Sequence, residues 1–380
     1  MPDRTLSIQG RPTADQELLL EAATGASETA RAAWRGWQER NELDDVDFGA
    51  QRLLPLVYRH LVELGVDDPD LGRLKGLYRH SWYRNQIAFQ WAGEVVESLR
   101  AVGLESMLLK GAALSTLYYR DPGVRPMDDV DILVRSEHAE AALDVLAGAG
   151  WAPVTEVPRE VFLTVRHAEQ LSRPDGAGVD LHWNVLWQPG RDDDFWESAV
   201  EMTIGGEPTR ALCPSDQLLH ACVHGAAWNP LPPIRWVADA LTVLDGAGDV
   251  IDWERLVAQA RARRATVALS GELAYLSTRF GAAVPASVVE ELSSTRARLH
   301  ERIGHRAAQS PPGPVTTLCV VWDRYRRLRD LDTPFPRPRS FLNYAKQTWG
   351  FEQSRQLAAH ATRRVAAHTL GRLNRWSKSS

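Results

Sequence analysis

Cysteine is nearly absent, with only Cys213, Cys222 and Cys319 in 380 residues. An odd count at those spacings fits neither a disulfide framework nor a zinc site, and it points to a reducing, cytoplasmic setting. No stretch approaches the roughly 20 apolar residues that a bilayer span needs, so no transmembrane segment is expected. The opening MPDRTLSIQGRPTADQ is polar and has no apolar signal-peptide core. Two phosphate-binding patterns are also missing. Without G-x-x-x-x-G-K-[ST] a P-loop is excluded, and no G-x-G-x-x-G occurs. There is no internal repeat.

What is present is a globular composition, 44% hydrophobic and 24% charged, which excludes a disordered polyelectrolyte. A chain of 380 residues fits a mixed core plus one or two helical subdomains. The net charge of −5 hides an asymmetry: from Trp322 onward, 13 Lys and Arg face four acids. Such a basic end can hold a polyanion such as RNA, or dock on the acidic body. Docking is the simpler reading, and removing the segment would abolish RNA binding if RNA were bound there.

Residues 1–28 read as a weakly ordered lead-in. ETARAAWRGWQER and FGAQRLLPLVYRHLVELG then place apolar residues three and four apart, as helices do. LGRLKGLYRHSWYRNQIAFQWAGEVVESLRAVG reads as one long helix, or two in line, ending at Gly103. SMLLK reads as a buried strand and GAALSTLYY as a helix. DPGVRP is a loop, and DDVDILV a strand. SEHAEAALDVLAGAG is a helix with Ser136 as its expected N-cap. FLTVRHAEQLSR and GVDLHWNV are strand candidates joined by the hairpin-type turn PDGAG. From about Pro214 the spacing is helical again. The pattern is helices, a βαβαββ block over about 104–187, then helices.

Alternation along a strand puts Asp129 and Asp131 on one face and Val130, Ile132 and Val134 on the other. Two carboxylates roughly 7 Å apart beside an apolar sheet repel each other. A hard divalent cation with oxygen ligands relieves that repulsion. GVDLHW repeats the pattern, with Asp180 and His182 sharing a face. If the two strands are neighbours, three carboxylates converge, as a two-metal phosphoryl-transfer site requires. Against this stands the ordinary acidic strand end, since D-x-D at a strand start is common. Upstream, Lys110 and Gly111 sit at a strand-to-helix junction. There a glycine lets backbone approach a phosphate, the helix N-terminus offers N–H donors, and lysine offers a point charge. A plain turn is the alternative.

Together, LLKGAAL, YYRDPGVRPMDDVDILV and GVDLHW resemble bacterial nucleotidyltransferases of the DNA polymerase beta superfamily. In particular they resemble a poorly characterised family with the patterns LKG-x-A-L, R-x-x-x-D-x-D-x-L-V and D-L-H-W. They are also similar to nucleotidyltransferase toxins of toxin–antitoxin systems, which carry KGG-T-A-L and then R-x-S-x-D-x-D. The likeness is strongest over residues 104–187, and SDQLLHACVHGAAW, IRWVADALTVL and IDWERLV extend it. The resemblance implies that Asp129 and Asp131 are paired metal ligands. Asp180 would be the third carboxylate, on the metal that activates the attacking hydroxyl. Gly111, with Ala112 and Ser115, would form the nucleotide loop, and Lys110 and Arg125 would contact the triphosphate. The superfamily loop usually has G-S or G-G where this chain has Gly111-Ala112, and the stretch from Gly111 to Asp129 is longer than in compact members.

Other residues carry weaker signals. His182 is placed to touch substrate or to orient Asp180, and His167 and Glu169 share a strand face that can line the cleft. His220 and His224, one helical turn apart, lack the glutamate of an H-E-x-x-H site and are expected in the core or the cleft wall. Arg235 and Asp239 read as an i,i+4 helix pair. The fourteen tryptophans read as core and interface anchors.

The expected fold is α+β: a polymerase-beta-like nucleotidyltransferase core, a short mixed sheet with helices, flanked by N-terminal and C-terminal helical regions. Its expected divisions are an N-terminal helical region 1–103, the core 104–190, a helical domain 191–310 closing the cleft, and a basic helical segment 311–380. The expected activity is transfer of NMP from an NTP, such as ATP, to a hydroxyl acceptor with Mg²⁺ or Mn²⁺. The acceptor would be a small molecule or natural-product intermediate, a protein, or RNA. The alternatives are a non-catalytic nucleotide- or partner-binding protein on the same fold, and a toxin-like tRNA-modifying enzyme.

Overall fold

The computed structural model describes residues 11–187, 192–227, 234–311, 313–330, 336–351 and 353–356. The fold is α+β. Seven strands form one mixed sheet: β1 Ser106–Leu108, β2 Asp131–Val134, β3 Ala152–Pro153, β4 Ala168–Ser172, β5 Gly178–His182, β6 Val200–Ile204 and β7 Glu207–Ala211. Their order across the sheet is β3-β4-β5-β2-β1-β7-β6. β1 and β2 pair antiparallel, whereas β2 and β5 pair parallel, with Asp131 opposite Asp180 and Leu133 opposite His182.

Alternation then divides the sheet into two faces. On one, Val130, Ile132, Val179 and Leu181 pack with Val95 and Leu99 of the helix Leu71–Ala101. On the other, Met107 and Leu133 join the core of Leu218, Leu219 and Val237, from the helices Pro214–Gly225 and Arg235–Ala247. Asp131 and Asp180 belong to this second face, so the sheet itself turns the carboxylates toward the later helices.

The elements differ from the sequence reading in several places. Residues 14–24, expected within a weakly ordered lead-in, form the helix Ala14–Thr24. Thr13 and Gln16 close a capping box over its start, and Leu19, Leu20 and Ala22 are fully buried. The polar residues around LLL hid this apolar stripe. The long helix Leu71–Ala101 is single and unbroken. Ser136 does not cap the next helix. It opens a 3-10 turn, its hydroxyl donates to Glu137, and the α-helix runs from Ala139 to Gly148. The first half of FLTVRHAEQLSR is helical, Arg159–Val165. Phe162 and Leu163 are both buried, which a one-sided strand does not allow, and Pro158 starts the helix well. The β6–β7 hairpin gave no alternation signal, yet it completes the sheet beyond residue 190 by pairing with β1.

The described part of the basic C-terminal segment packs on the body. Arg324 lies 4.8 Å over the Trp187 ring, and Asp330 takes a 2.6 Å hydrogen bond from Arg264. Part of the basic helical segment expected over 311–380, residues 357–380 included, lies outside the described residues. Among the described residues, no helix is long and apolar enough to cross a membrane.

Candidate active site

The site begins with the register of β2 and β5. Asp131 and Asp180 are directly paired, and the Asp180 N–H donates to Val130 O at 2.9 Å. Neighbouring strands lie about 4.8 Å apart, so the two carboxylates stand side by side on one face. Asp131, Asp180 and His182 offer ligand atoms all within 4.8 Å of one another. Asp129 sits two residues before Asp131, on the chain entering β2. Asp129 is outside that trio but near enough that its charge acts on Asp180 and that of Asp131 acts on it.

Their charges are compensated unequally. Burial disfavours an ionised Asp131, but Lys110 and His182 outweigh it and hold the carboxyl well below its ordinary range. The Lys110 ammonium donates to Asp131 Oδ1, and His182 Nε2 bonds the same oxygen at 2.9 Å. For Asp129, burial, then the charge of Asp131, outweighs the relief from Lys110 and Arg52 and pushes its carboxyl up. Asp180 is pushed up to about 7 by burial and by its two carboxylate neighbours. Its Oδ1 is buried without a hydrogen-bond partner. A buried, unpartnered carboxylate oxygen beside two more carboxylates fits a hard divalent cation.

Two cavities meet at this point. The first, about 270 Å³, is lined by Asp129 and Asp131, by Lys110 and Gly111, by Arg52, Arg125 and Arg235, and by Gln217, His220 and His224. The second, about 400 Å³, is lined by Asp180 and His182, by Thr155 and Arg166, and by His167, Glu169 and Gln170. Lys110 and Asp129 border both. Asp128 and Asp239 also line the first cavity, so its four cations face four carboxylates, and Asp129 and Lys110 stand where the two spaces meet.

The loop Asp121–Met127 builds the cationic side. Asn85, fully buried in the long helix, donates to Pro122 O at 2.6 Å and to Arg125 O at 2.8 Å, and accepts from Met127 N–H. Gly111 faces this loop so closely that a Cβ would lie 2.4 Å from Met127 Sδ and 2.5 Å from an Arg125 guanidinium nitrogen. Close packing therefore demands glycine there, whatever a nucleotide requires.

Arg125 makes a bidentate pair with Asp239, both bonds 2.8 Å, and Tyr119 donates to the same carboxylate at 3.0 Å. This corrects the expected Arg235–Asp239 pair, because Asp239 is committed to Arg125 from a loop more than a hundred residues away. Arg235 instead donates to Pro126 O. Among the described residues it has no carboxylate within ion-pair distance. Burial, then the charges of Arg125 and Arg52, push its guanidinium down to about 9, which still leaves it charged at neutral pH. Arg52 bonds Asp128 at 2.8 Å.

Of the other expected site residues, Ala112 and Ser115 are buried in the interior and line neither cavity. His182 orients Asp131 and not Asp180. His167 meets the His182 ring edge-on with centroids 5.3 Å apart. Glu169 turns to the same side as Leu171, where Thr155 N–H and Arg166 satisfy it. Gln170 is the exposed residue in register with Asp180. His220 and His224 are cleft-wall residues, as expected. Sequence reasoning missed Arg52, Gln170 and Gln217. Only Gln217 left a signal, through its spacing of three and seven from His220 and His224 on one helix.

A family model described as "Uncharacterised nucleotidyltransferase" matches residues 49–281, which include all three carboxylates and Lys110. No curated protein matches the chain. A solved structure, an antigenic nucleotidyltransferase-like protein from Paracoccidioides brasiliensis, is similar at 15% identity and a TM-score of 0.34. That match covers 56% of this chain and 94% of the other. The family match spans more than half of the sequence, and the chain belongs to this family of uncharacterised nucleotidyltransferases.

Proposed function

We propose that the chain transfers a nucleoside monophosphate from an NTP to a hydroxyl group and releases pyrophosphate. One observation carries this reading. Asp129, Asp131 and Asp180 gather where a cavity lined by three arginines and Lys110 meets a second cavity, and Asp180 Oδ1 is buried there without a partner among the described residues.

In this reading the triphosphate occupies the first cavity. Arg235, charged and without a carboxylate partner among the described residues, contacts it together with Lys110 and Arg52. Arg125, locked to Asp239, shapes the wall and adds field. The acceptor hydroxyl enters from the second cavity, beside Asp180 and Gln170. Its oxygen bonds to the α-phosphorus as the bond from that phosphorus to the bridging oxygen breaks, and pyrophosphate leaves with the bonding pair. The Asp180 carboxylate, beside the acceptor, takes the hydroxyl proton. Oxygen donors on Asp129, Asp131 and Asp180 would hold Mg²⁺ or Mn²⁺, which supplies charge neutralisation at the phosphates. His182 keeps Asp131 oriented. The helices of region 191–310 close the cleft over the core. All three cysteines are free thiols, in line with a cytoplasmic enzyme.

The test is isothermal titration of the four NTPs with Mg²⁺, on wild type and on Asp129→Ala/Asp131→Ala. Metal-dependent binding that vanishes in the double variant is the expected result. Failure of the folded wild type to bind any NTP would overturn the reading.

A further inference from the structure

The first cavity has a second wall of different chemistry. Gln217, His220, Ala221 and His224 line it from the helix Pro214–Gly225. Spacings of three, four and seven put them on one helical face. That face carries no charge. Burial pushes His220 well below its usual range and His224 down to about 3, so both imidazoles are neutral at neutral pH. Their rings meet edge to face, with centroids 6.0 Å apart.

Gln217 is the residue on this face that the protein itself does not explain. It is 0% exposed, and neither Oε1 nor Nε2 has a hydrogen-bond partner among the described residues. Native proteins leave few buried polar groups unpaired, and an apolar side chain of the same shape would avoid the penalty. An amide retained here is explained if its partner arrives with the ligand. An amide offers a donor and an acceptor side by side. A phosphate offers only acceptors at neutral pH, so it would leave Oε1 unpaired and belongs to the arginine wall. A nucleobase edge offers both a donor and an acceptor.

We propose that Gln217 reads the base of the incoming NTP, with Nε2 donating to a ring or carbonyl acceptor and Oε1 accepting from a base N–H. The inference rests on the nucleotidyltransferase reading above and adds to it the residue that selects among nucleotides. His220 and His224 provide the flat, uncharged surroundings that an uncharged base requires.

The experiment measures affinity for ATP, GTP, CTP and UTP, each with Mg²⁺, and for inorganic tripolyphosphate as a probe without a base. The proteins are wild type, Gln217→Leu and Gln217→Glu, with thermal melts of each. Gln217→Leu is expected to melt no lower than wild type. It should lose tenfold or more in affinity for the preferred NTP and lose the preference over the other three, with tripolyphosphate binding unchanged. Gln217→Glu keeps the volume but not the N–H donor, and it should also lose that preference, which keeps the test alive if the leucine variant fails to fold. NTP affinity and preference that stay at wild-type levels would overturn the inference while leaving the transferase reading intact. So would tripolyphosphate binding that falls in parallel with NTP binding. Wild type that binds no NTP would overturn the transferase reading itself, and this inference with it.

Discussion

Replacing Asp180 with asparagine removes a charge that Lys110 offsets only in part. Its carboxyl is raised to about 7 by burial and by Asp129 and Asp131, against an ordinary 3.8. The sign follows from linkage. The folded protein binds this proton more tightly than the unfolded chain does, so stability is highest below about pH 4 and is lost as pH rises through about 7. At about 1.4 kcal/mol per pKa unit, the ceiling is ~4 kcal/mol. Partial exposure and sharing of the strain with Asp129 reduce this to about 1–2 kcal/mol. Asparagine is nearly isosteric, and Asp180 Oδ1 has no hydrogen bond to lose. Without metal at pH 8, Asp180→Asn should therefore melt higher than wild type, by roughly 2–4 °C per kcal/mol for a domain of this size. At pH 5 the gap should shrink. Millimolar Mg²⁺ should raise the wild-type melting temperature, because a ligand of the folded state stabilises it, and should do little for the variant. Melts at the two pH values, with EDTA or with Mg²⁺, provide the assay. A variant that melts lower than wild type at pH 8 in EDTA would refute the claim that Asp180 is an under-compensated carboxylate beside two others.

Three other perturbations probe the surrounding frame. Asp239→Ala leaves Arg125 buried without its counter-charge and should cost about 3–5 kcal/mol in urea unfolding. Adding Arg125→Met to it should restore much of that loss. Gly111→Ala drives a methyl into Met127 and Arg125, so about 1–3 kcal/mol of stability should be lost along with NTP affinity, read by calorimetry and titration on the same sample. Arg235→Met removes a cation that has no carboxylate partner among the described residues. Its melting temperature should hold or rise while affinity for NTPs and for tripolyphosphate falls at least tenfold. Unchanged affinity would remove Arg235 from the triphosphate site.

The carboxylates were legible because strand alternation is a local property. DDVDILV and GVDLHW each state which side chains share a face without reference to any other part of the chain. Lys110 was legible as part of the same cluster, but its partner was not. It was read as a triphosphate contact, and the ion pair it makes with Asp131 was not foreseen. His182 was read against Asp180 on its own strand, whereas the parallel register gives it to Asp131 on the neighbouring one. The Arg235–Asp239 reading failed for a related reason. Spacing of four makes such a pair available, but it does not show that a loop arginine 114 residues away takes the carboxylate first. The strand reading of Phe162–Val165 failed because a short apolar run has no period of its own, and burial on more than one side favoured the helix.

By itself, the sequence determined that two short strands would each present an acid on a face opposite an apolar one, that a Lys-Gly junction would precede them, and that helices would flank the block. Period-two and period-3.6 patterns write those facts into neighbouring residues. Only the tertiary structure decided that Asp131 stands opposite Asp180, that Arg52 and Arg235 join the cavity from distant helical regions, and that Gln217 is sealed in its wall with both amide atoms unpaired. Strand register, ion-pair choice and burial depend on which distant surfaces meet, and charge compensation follows the meeting and not the spacing.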